Sequence, residues 1–515
     1  MTHVRPHARL LTATACAVVM AGAMSSTPSA EGTACEALTG VTLAAGRVTA
    51  ASQITAGRFV PPSGRSSEIF ATLPAFCRVQ ATLTPSSDSD IKVEVWLPAA
   101  GWNRKLQAVG NGGWAGTIDY AALAEALERG YAGTATDTGH STDGASFAFG
   151  HPEKLIDYAY RSEHEMTVAA KVLVEAFHGA APTRSYFNGC STGGRQALVE
   201  ASRYPNDFDG IIAGAAANPK AHLDAWRVWM AQAMLKTPES VIPASKYPAI
   251  HAAVLDTCDL LDGVKDGVIE HPPACQFDPK SLQCQGPGGT DGPGCLTAAQ
   301  VETARTIMGP ATHRTTGELI FPGYEPGTEL GWGRLLGGKE PYGVALEQFR
   351  YIVFDPTWDW RTFDLERDVA ASNTAAGGLL AAVNPDLSAF AARGGKLLTY
   401  HGFADPSIAP QASINFYKSA RAATTAPATN QDWLRLFMVP GMGHCSGGDG
   451  PDVFDMIPAL EAWVEQGTPP AAVVASKITG GKVVRTRPLC PYPQVARYKG
   501  PGSIDEASSF SCTAQ

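Results

Sequence analysis

Residues 189–193 read Gly189-Cys190-Ser191-Thr192-Gly193, a G-x-S-x-G stretch, and the fold follows from what stands on either side of it. Residues 185–188 read as a short strand, and residues 194–204 as a helix stopped by Pro205. A serine on the sharp turn between them needs small neighbours, because a Cβ on either side would clash, and the turn holds its hydroxyl out at the carboxyl edge of a sheet. A bare G-x-S-x-G match is common by chance and is often just a Gly-rich turn. With a strand before it and a helix after it, the stretch reads as a nucleophile elbow, and the expected fold is α/β, an α/β-hydrolase sheet.

The chain around the elbow keeps the same alternation. Residues 91–97, 105–109, 132–135, 208–213, 396–400 and 433–439 read as strands, and residues 164–177 and 453–466 have helical character, the pattern of a largely parallel sheet covered by helices. Between 218 and 393 the rhythm breaks into Gly/Pro-rich stretches holding four cysteines and five of the ten tryptophans. That stretch reads as a large inserted lid domain. The expected organisation is a hydrolase domain in two parts, 31–217 and 394–515, around a lid at 218–393, closed by a C-terminal strap.

At 515 residues the chain exceeds one ordinary core, and 44% hydrophobic with 17% charged residues excludes a disordered or collagen-like chain. Lys plus Arg number 40 against 49 Asp plus Glu, for a net charge of -9 without any long basic run. That balance argues against nucleic acid or an anionic membrane as partner. Arg5 and Arg9 precede an apolar run over 10–24 and small residues over 25–30, the pattern of a secretory signal peptide at 1–30. The run is too short for a comfortable membrane span, so the mature protein is expected to be secreted and soluble. Cys16 lies in that segment; a lipoprotein anchor there is disfavoured because the apolar run continues past it. The other ten cysteines are Cys35, Cys77, Cys190, Cys258, Cys275, Cys284, Cys295, Cys445, Cys490 and Cys512. An even number in an exported chain suggests disulfides, and the competing metal reading lacks any CxxC pair.

A serine hydroxyl is a weak nucleophile and needs a base, which itself needs a carboxylate to orient it and balance its charge. Chain order Ser, Asp, His selects Asp405, in the loop after the 396–400 strand, and His444, directly after the strand ending at Val439. Both fall at strand ends, where sites form in such sheets. His140 and His401 read as structural neighbours that hydrogen-bond loop backbone. The oxyanion hole is expected to use the N–H of Thr192 and one from the loop Gly110-Asn111-Gly112-Gly113-Trp114-Ala115-Gly116, with Gly113 first and Gly112 next. Cys190 precedes the nucleophile and Cys445 follows the base, so if Ser191 and His444 are in hydrogen-bond reach their neighbours are close enough for a disulfide.

In the lid, residues 258–269 carry Asp259, Asp262 and Asp266 with glycines at turn positions. Calcium takes six to eight oxygens from carboxylates and backbone carbonyls. The three aspartates can supply the first kind and Val264 and Val268 the second, although the spacing is not that of an EF-hand and a solvated acidic turn is the alternative. A Cys258 to Cys275 bridge would tie this loop down. The lid aromatics Trp226, Trp229, Trp332, Tyr351, Trp358 and Trp360 are candidates for a slot that holds a planar acyl ring, with the lid's own core as the plainer reading of each.

Taken together, the Cys-Ser and His-Cys pairs beside a Ser-Asp-His order and the lid with its acidic loop resemble the tannase and feruloyl esterase family, whose relatives include terephthalate half-ester hydrolases. The resemblance spans residues 35–512. It implies Ser191, Asp405 and His444 as a triad, a structural Ca2+ in the lid on Asp259, Asp262, Val264, Asp266 and Val268, and a Cys190 to Cys445 bridge. It also implies the pairings Cys35 to Cys77, Cys258 to Cys275, Cys284 to Cys295 and Cys490 to Cys512. The expected activity is a secreted serine esterase acting on small aromatic esters or plant-polymer-linked phenolic esters. Tannase, terephthalate half-ester hydrolase and an inactive binding protein on a hydrolase scaffold are the alternatives.

Overall fold

The computed structural model describes residues 33–514 except residues 63, 65–67, 115, 286–290, 377 and 382; the signal segment 1–30, with Cys16, lies outside the described residues. Ten strands form the main sheet: β1 (Thr42–Leu43), β2 (Gly46–Ile54), β3 (Phe76–Leu83), β4 (Ile91–Pro98), β5 (Lys105–Val109), β6 (Ala132–Thr136), β7 (Arg184–Cys190), β8 (Gly210–Gly214), β9 (Lys396–Gly402) and β10 (Leu434–Val439). Their spatial order is β1-β2-β3-β4-β6-β5-β7-β8-β9-β10. From β6 to β10 every pairing is parallel, and β1 to β4 extend the sheet as an antiparallel meander. This is the α/β-hydrolase architecture the elbow implied.

The inner strands β6 and β8 are short, without charged residues and buried along their whole length, which is what a sheet covered on both faces requires. Side chains alternate between the faces. Ile211 and Leu397 join the core under helices Ser162–His178, Thr192–Arg203 and Gln411–Ala423. Their neighbours Ile212 and Leu398 join the opposite core with Leu460 and Trp463 of helix Ile457–Gln466. That last helix begins four residues later than residue 453 because the Val453 N–H and carbonyl both pair with Ser476. No helix among the described residues is long and apolar enough to cross a membrane.

Between β8 and β9 the chain leaves the sheet and builds a second core around Trp226, Met230, Ile250, Val301, Phe321, Trp332 and Phe349, continuous with Ile408 and Ala412 beyond β9. The inserted segment is therefore packed against the hydrolase part. The ten cysteines form five disulfides, Cys35–Cys77, Cys190–Cys445, Cys258–Cys275, Cys284–Cys295 and Cys490–Cys512.

One ionic contact joins the insert to the loop after β10. His251, on helix Tyr247–Cys258, lies between Glu329, at 2.8 Å from Nδ1, and Asp449, at 3.3 Å from Nε2. Lys477 is the further charge acting on Asp449. Burial works against the imidazolium, but the hydrogen bonds to Asp449 and Glu329 outweigh it and raise the His251 pKa to about 9. An unfolded histidine titrates near ~6.5, so this contribution to stability is fully present below that pH and is lost as pH rises through about 9. The melting temperature of the wild type should therefore fall more between pH 6 and pH 10 than that of His251→Gln. Parallel melting curves for the two proteins across that range would show that His251 carries no such charge.

Candidate active site

Ser191 sits between β7 and helix Thr192–Arg203 at φ 64° and ψ -120°, a backbone region that costs a residue with a Cβ on the order of 1–3 kcal/mol and persists only when its surroundings over-determine it. They do so here. The Ser191 N–H donates to the Gly214 carbonyl at 3.0 Å, and the Ser191 carbonyl accepts from the N–H groups of Arg195 and Ala217. The flanking glycines are required by contact: a Cβ at Gly189 would lie 2.6 Å from the Gly193 carbonyl carbon, and one at Gly110 would lie 2.5 Å from Gly193 Cα. Strand, helix and the loop after β5 meet backbone to backbone.

The three residues selected by chain order come together. His444 Nε2 lies 2.9 Å from Ser191 Oγ, and His444 Nδ1 lies 2.7 Å from Asp405 Oδ2. Donation from Nδ1–H to Asp405 leaves Nε2 to accept the serine proton. The other Asp405 oxygen accepts from the N–H groups of Ser407, at 2.7 Å, and Ile408, at 3.0 Å. Burial alone would raise this carboxyl, yet the charge on His444 and the hydrogen bonds from His401 and His444 hold it well below the usual carboxylate range. Cys190 and Cys445 tie the elbow to the histidine loop, with Cα atoms 6.1 Å apart.

The two neighbouring histidines differ. His401 does more than scaffold a loop: its Nε2 lies 3.0 Å from Asp405 Oδ2 and 3.2 Å from the Ile408 carbonyl, and its Nδ1 lies 2.7 Å from Ser413 Oγ. With two acceptors facing it, Nε2 carries the proton, so Asp405 receives a second imidazole donor. His140 stacks on Phe147, is pushed down to about 4 by burial, and hydrogen-bonds through Nδ1 to Thr142 of its own loop.

Above the serine, the Thr192 N–H is the first of its helix and has no i−4 carbonyl to bond. Gly112 and Gly113 face the same space, and Gly113 adopts φ 56°. The Gly113 carbonyl accepts from the Thr192 hydroxyl at 2.8 Å and from the Tyr158 hydroxyl at 2.7 Å.

A cleft of about 500 Å³ opens over Ser191 and His444. The insert contributes Lys220, Leu223, Arg227, Arg334, Tyr342 and Val344 to its wall, and the hydrolase part adds Tyr400 and Ile408. Lys220 is held 2.6 Å from Asp224 and 3.7 Å above the Trp114 ring, and burial lowers its pKa to about 8 despite that carboxylate. Arg227 bonds the other Asp224 oxygen and the Ser407 carbonyl. The expected slot of lid tryptophans is not found: Trp226, Trp332 and Trp360 lie inside the insert's core, Trp229 and Trp358 pack against it, and Tyr351 packs on the cluster around Trp114 and Tyr158. These rings are large and apolar, and the insert needs them for its own burial. Tyr342 is the insert's aromatic on the cleft, and nothing in its local sequence distinguishes it.

The acidic loop is ordered by its own aspartates. Asp259 accepts from the N–H groups of Asp266 and Gly267, Asp262 from Val264, and Asp266 from Val268. Asp266 also pairs with Arg487, and with Arg485 at 3.5 Å. Burial first, with the charges of Asp266 and Asp259, raises Asp262 to about 6. Among the described residues no three His, Cys, Asp or Glu side chains converge as a metal-holding group. The loop thus holds three carboxylates, one of them, Asp266, already shared with two arginines.

Known proteins resemble this chain in sequence and in fold. The model of the family described as "Tannase and feruloyl esterase" matches residues 77–513. An uncharacterized esterase of Xanthomonas campestris pv. campestris is 40% identical, over 95% of this chain and 93% of its own. A probable feruloyl esterase B-1 of Aspergillus oryzae is 34% identical over 85% and 84%. Among solved structures, feruloyl esterase B of Aspergillus oryzae superposes with a TM-score of 0.86 at 31% identity, covering 93% of this chain and 99% of that one. Tannin acyl hydrolase of Aspergillus niger, at 22% identity and a TM-score of 0.72, shares the fold over 91% of this chain and 90% of its own. By its sequence match, its fold and its carboxylic ester hydrolase relatives, the chain belongs to the tannase and feruloyl esterase family and is an esterase of that type.

Proposed function

We propose that the protein is an exported serine esterase that cleaves carboxylic esters of phenolic aromatic acids through an acyl-enzyme on Ser191. The observation that carries the reading is the unbroken hydrogen-bond line from Ser191 through His444 to Asp405 at the floor of the cleft. Ser191 Oγ attacks the ester carbonyl as His444 Nε2 takes its proton. The tetrahedral oxyanion is received by the N–H groups of Thr192 and Gly113. His444 then protonates the leaving alcohol, and a water activated by the same nitrogen releases the acid. Asp405, kept ionised by its surroundings, orients the ring and balances its charge. Two features support export: the signal-like segment at 1–30, and five disulfides, which form and persist in oxidising compartments. The feruloyl esterases among its relatives support the phenolic acid, and Leu223, Tyr342 and Ile408 offer apolar surface for a ring.

We also assign a structural calcium ion to the loop of Asp259, Asp262, Val264, Asp266 and Val268. The support is its donor set of three carboxylates with two backbone carbonyls. Bound there, the ion would neutralise like charges and stiffen the insert without entering the chemistry.

Three outcomes are expected. Ser191→Ala should lose at least three orders of magnitude in kcat with an unchanged melting curve; a variant retaining a tenth of wild-type turnover would remove Ser191 as nucleophile. Methyl ferulate and methyl gallate should be hydrolysed with kcat/KM at least tenfold above methyl butyrate, and parity would reduce the enzyme to a general short-chain esterase. Chelation should lower the melting temperature, calcium should restore it, and Asp262→Ala should abolish that response; a protein indifferent to chelator would leave the loop as an acidic turn closed by Arg487.

A further inference from the structure

The helical segment that follows β6 is not regular. It runs as α-helix over Pro152–Ile156, passes through a π-turn at Asp157–Arg161 and resumes as α-helix over Ser162–His178. One inserted residue rotates everything before it by about 100° relative to an unbroken helix, and such insertions recur at functional sites. This one lies against the nucleophile's helix. Arg195, buried, donates from Nη1 to the Ala159 carbonyl at 2.9 Å and from Nη2 to the Tyr158 carbonyl at 3.2 Å, so the helix that starts at Ser191 grips the π-turn directly.

The side chain re-aimed by the π-turn is Tyr158. It is fully buried, packs at 4.9 Å on Trp114 with the Arg195 guanidinium 5.1 Å from its ring, and donates its hydroxyl to the Gly113 carbonyl at 2.7 Å. That carbonyl has a second donor, the Thr192 hydroxyl at 2.8 Å. Gly113 needs such anchors. It sits at φ 56°, and apart from its chain neighbours no described atom lies within 4 Å of the place where its Cβ would stand, so the space on that side is open. Burial pushes the Tyr158 hydroxyl up to about 12, which keeps it protonated, and a donor, at neutral pH.

We propose that Tyr158 is a positioning residue of the esterase reaction: carried by the π-turn and braced by Arg195, its hydroxyl fixes the Gly113 carbonyl, which limits rotation about the Gly113 Cα and so holds the Gly113 N–H, in the preceding peptide, toward the developing oxyanion. This rests on the serine-esterase reading above and adds to it a residue that touches neither substrate nor triad. Because the oxyanion exists only after attack, a misaimed donor weakens transition-state binding and leaves ground-state binding alone.

The test uses the full exported chain. Tyr158→Phe removes one oxygen and keeps the ring. It should lower kcat for methyl ferulate about tenfold with KM within twofold, less than the loss from deleting a donor outright. It should also raise the Ki of phenylboronic acid, whose serine adduct is tetrahedral, by a similar factor. Thr192→Val releases the same carbonyl from its other donor, leaves the Arg195 bonds to the π-turn in place and should show the same split. If Tyr158→Phe does not fold, Thr192→Val alone decides the matter by the same two measurements. The double variant should lose more than the product of the single losses, since each bond buffers the absence of the other. Unchanged kcat and boronate inhibition in the singles and the double, or a loss confined to KM, would overturn the proposal. Labelling of wild-type Ser191 by a fluorophosphonate separates the two ideas: no label sinks the esterase reading itself, whereas full label with an indifferent Tyr158→Phe sinks only the role of Tyr158.

Discussion

The turn at Ser191 places a side chain in backbone space that glycine ordinarily occupies, and the structure around it is arranged to hold it there. Three backbone segments converge on it: at Gly110 and Gly189 a single added carbon would collide with main chain, and at Gly193 it would stand 3.2 Å from the Asn111 carbonyl oxygen and from Gly110 Cα. That closeness has a chemical result. It sets the start of helix Thr192–Arg203, whose first N–H has no i−4 carbonyl, and the loop of Gly112 and Gly113 on the same cleft as the Ser191 hydroxyl, which meets His444 Nε2 at 2.9 Å. In the proposed reaction a looser packing would relieve the backbone but separate these groups from the point where charge develops.

The remaining parts of the site arrive from far along the chain and have to be kept in register with that turn. Asp405 and His444 come from the loops after β9 and β10, the two strands that lie beyond β8 at that edge of the sheet. The Cys190–Cys445 bridge joins residues 255 apart in sequence directly beside the reacting pair. His401 gives Asp405 a further donor, so the carboxylate is held by two imidazoles and two backbone N–H groups. The insert is bound to the same region at several points: its core runs into Ile408 and Ala412, Arg227 bonds the Ser407 carbonyl, and His251 meets Asp449. It roofs the cleft and supplies Lys220, Arg227 and Arg334 to a wall in which Asp224 balances part of the charge.

Much of this was legible in the linear chain, for identifiable reasons. The elbow declares itself because its glycines obey a local steric rule, and the partners of Ser191 could be chosen because a parallel sheet presents loops at the carboxyl ends of its strands. The Cys190–Cys445 bridge was legible because its cysteines adjoin Ser191 and His444 in the chain, whereas the other four pairings were implied only by the family resemblance. The strands before residue 91 were not: β2 has an exposed, mixed pattern that carries no clear period, and its place is settled by pairing with β3. Nor could the lid tryptophans be sorted into core and cleft, since a large ring suits either environment and only the packing of the insert assigns them.

The linear chain thus pointed to the fold class and singled out Ser191, His444 and Asp405 as residues that would meet, because each depends on short-range chemistry or on a topological rule that needs no coordinates. Tertiary structure alone decided which polar groups line the cleft, that His401 shares Asp405 with His444, and that Tyr158 reaches Gly113 through a π-turn braced by Arg195. Apart from the short step between His401 and Asp405, those contacts join residues far apart in the chain. No local propensity encodes them, and they exist only once the sheet has brought its strand ends together and the insert has closed over them.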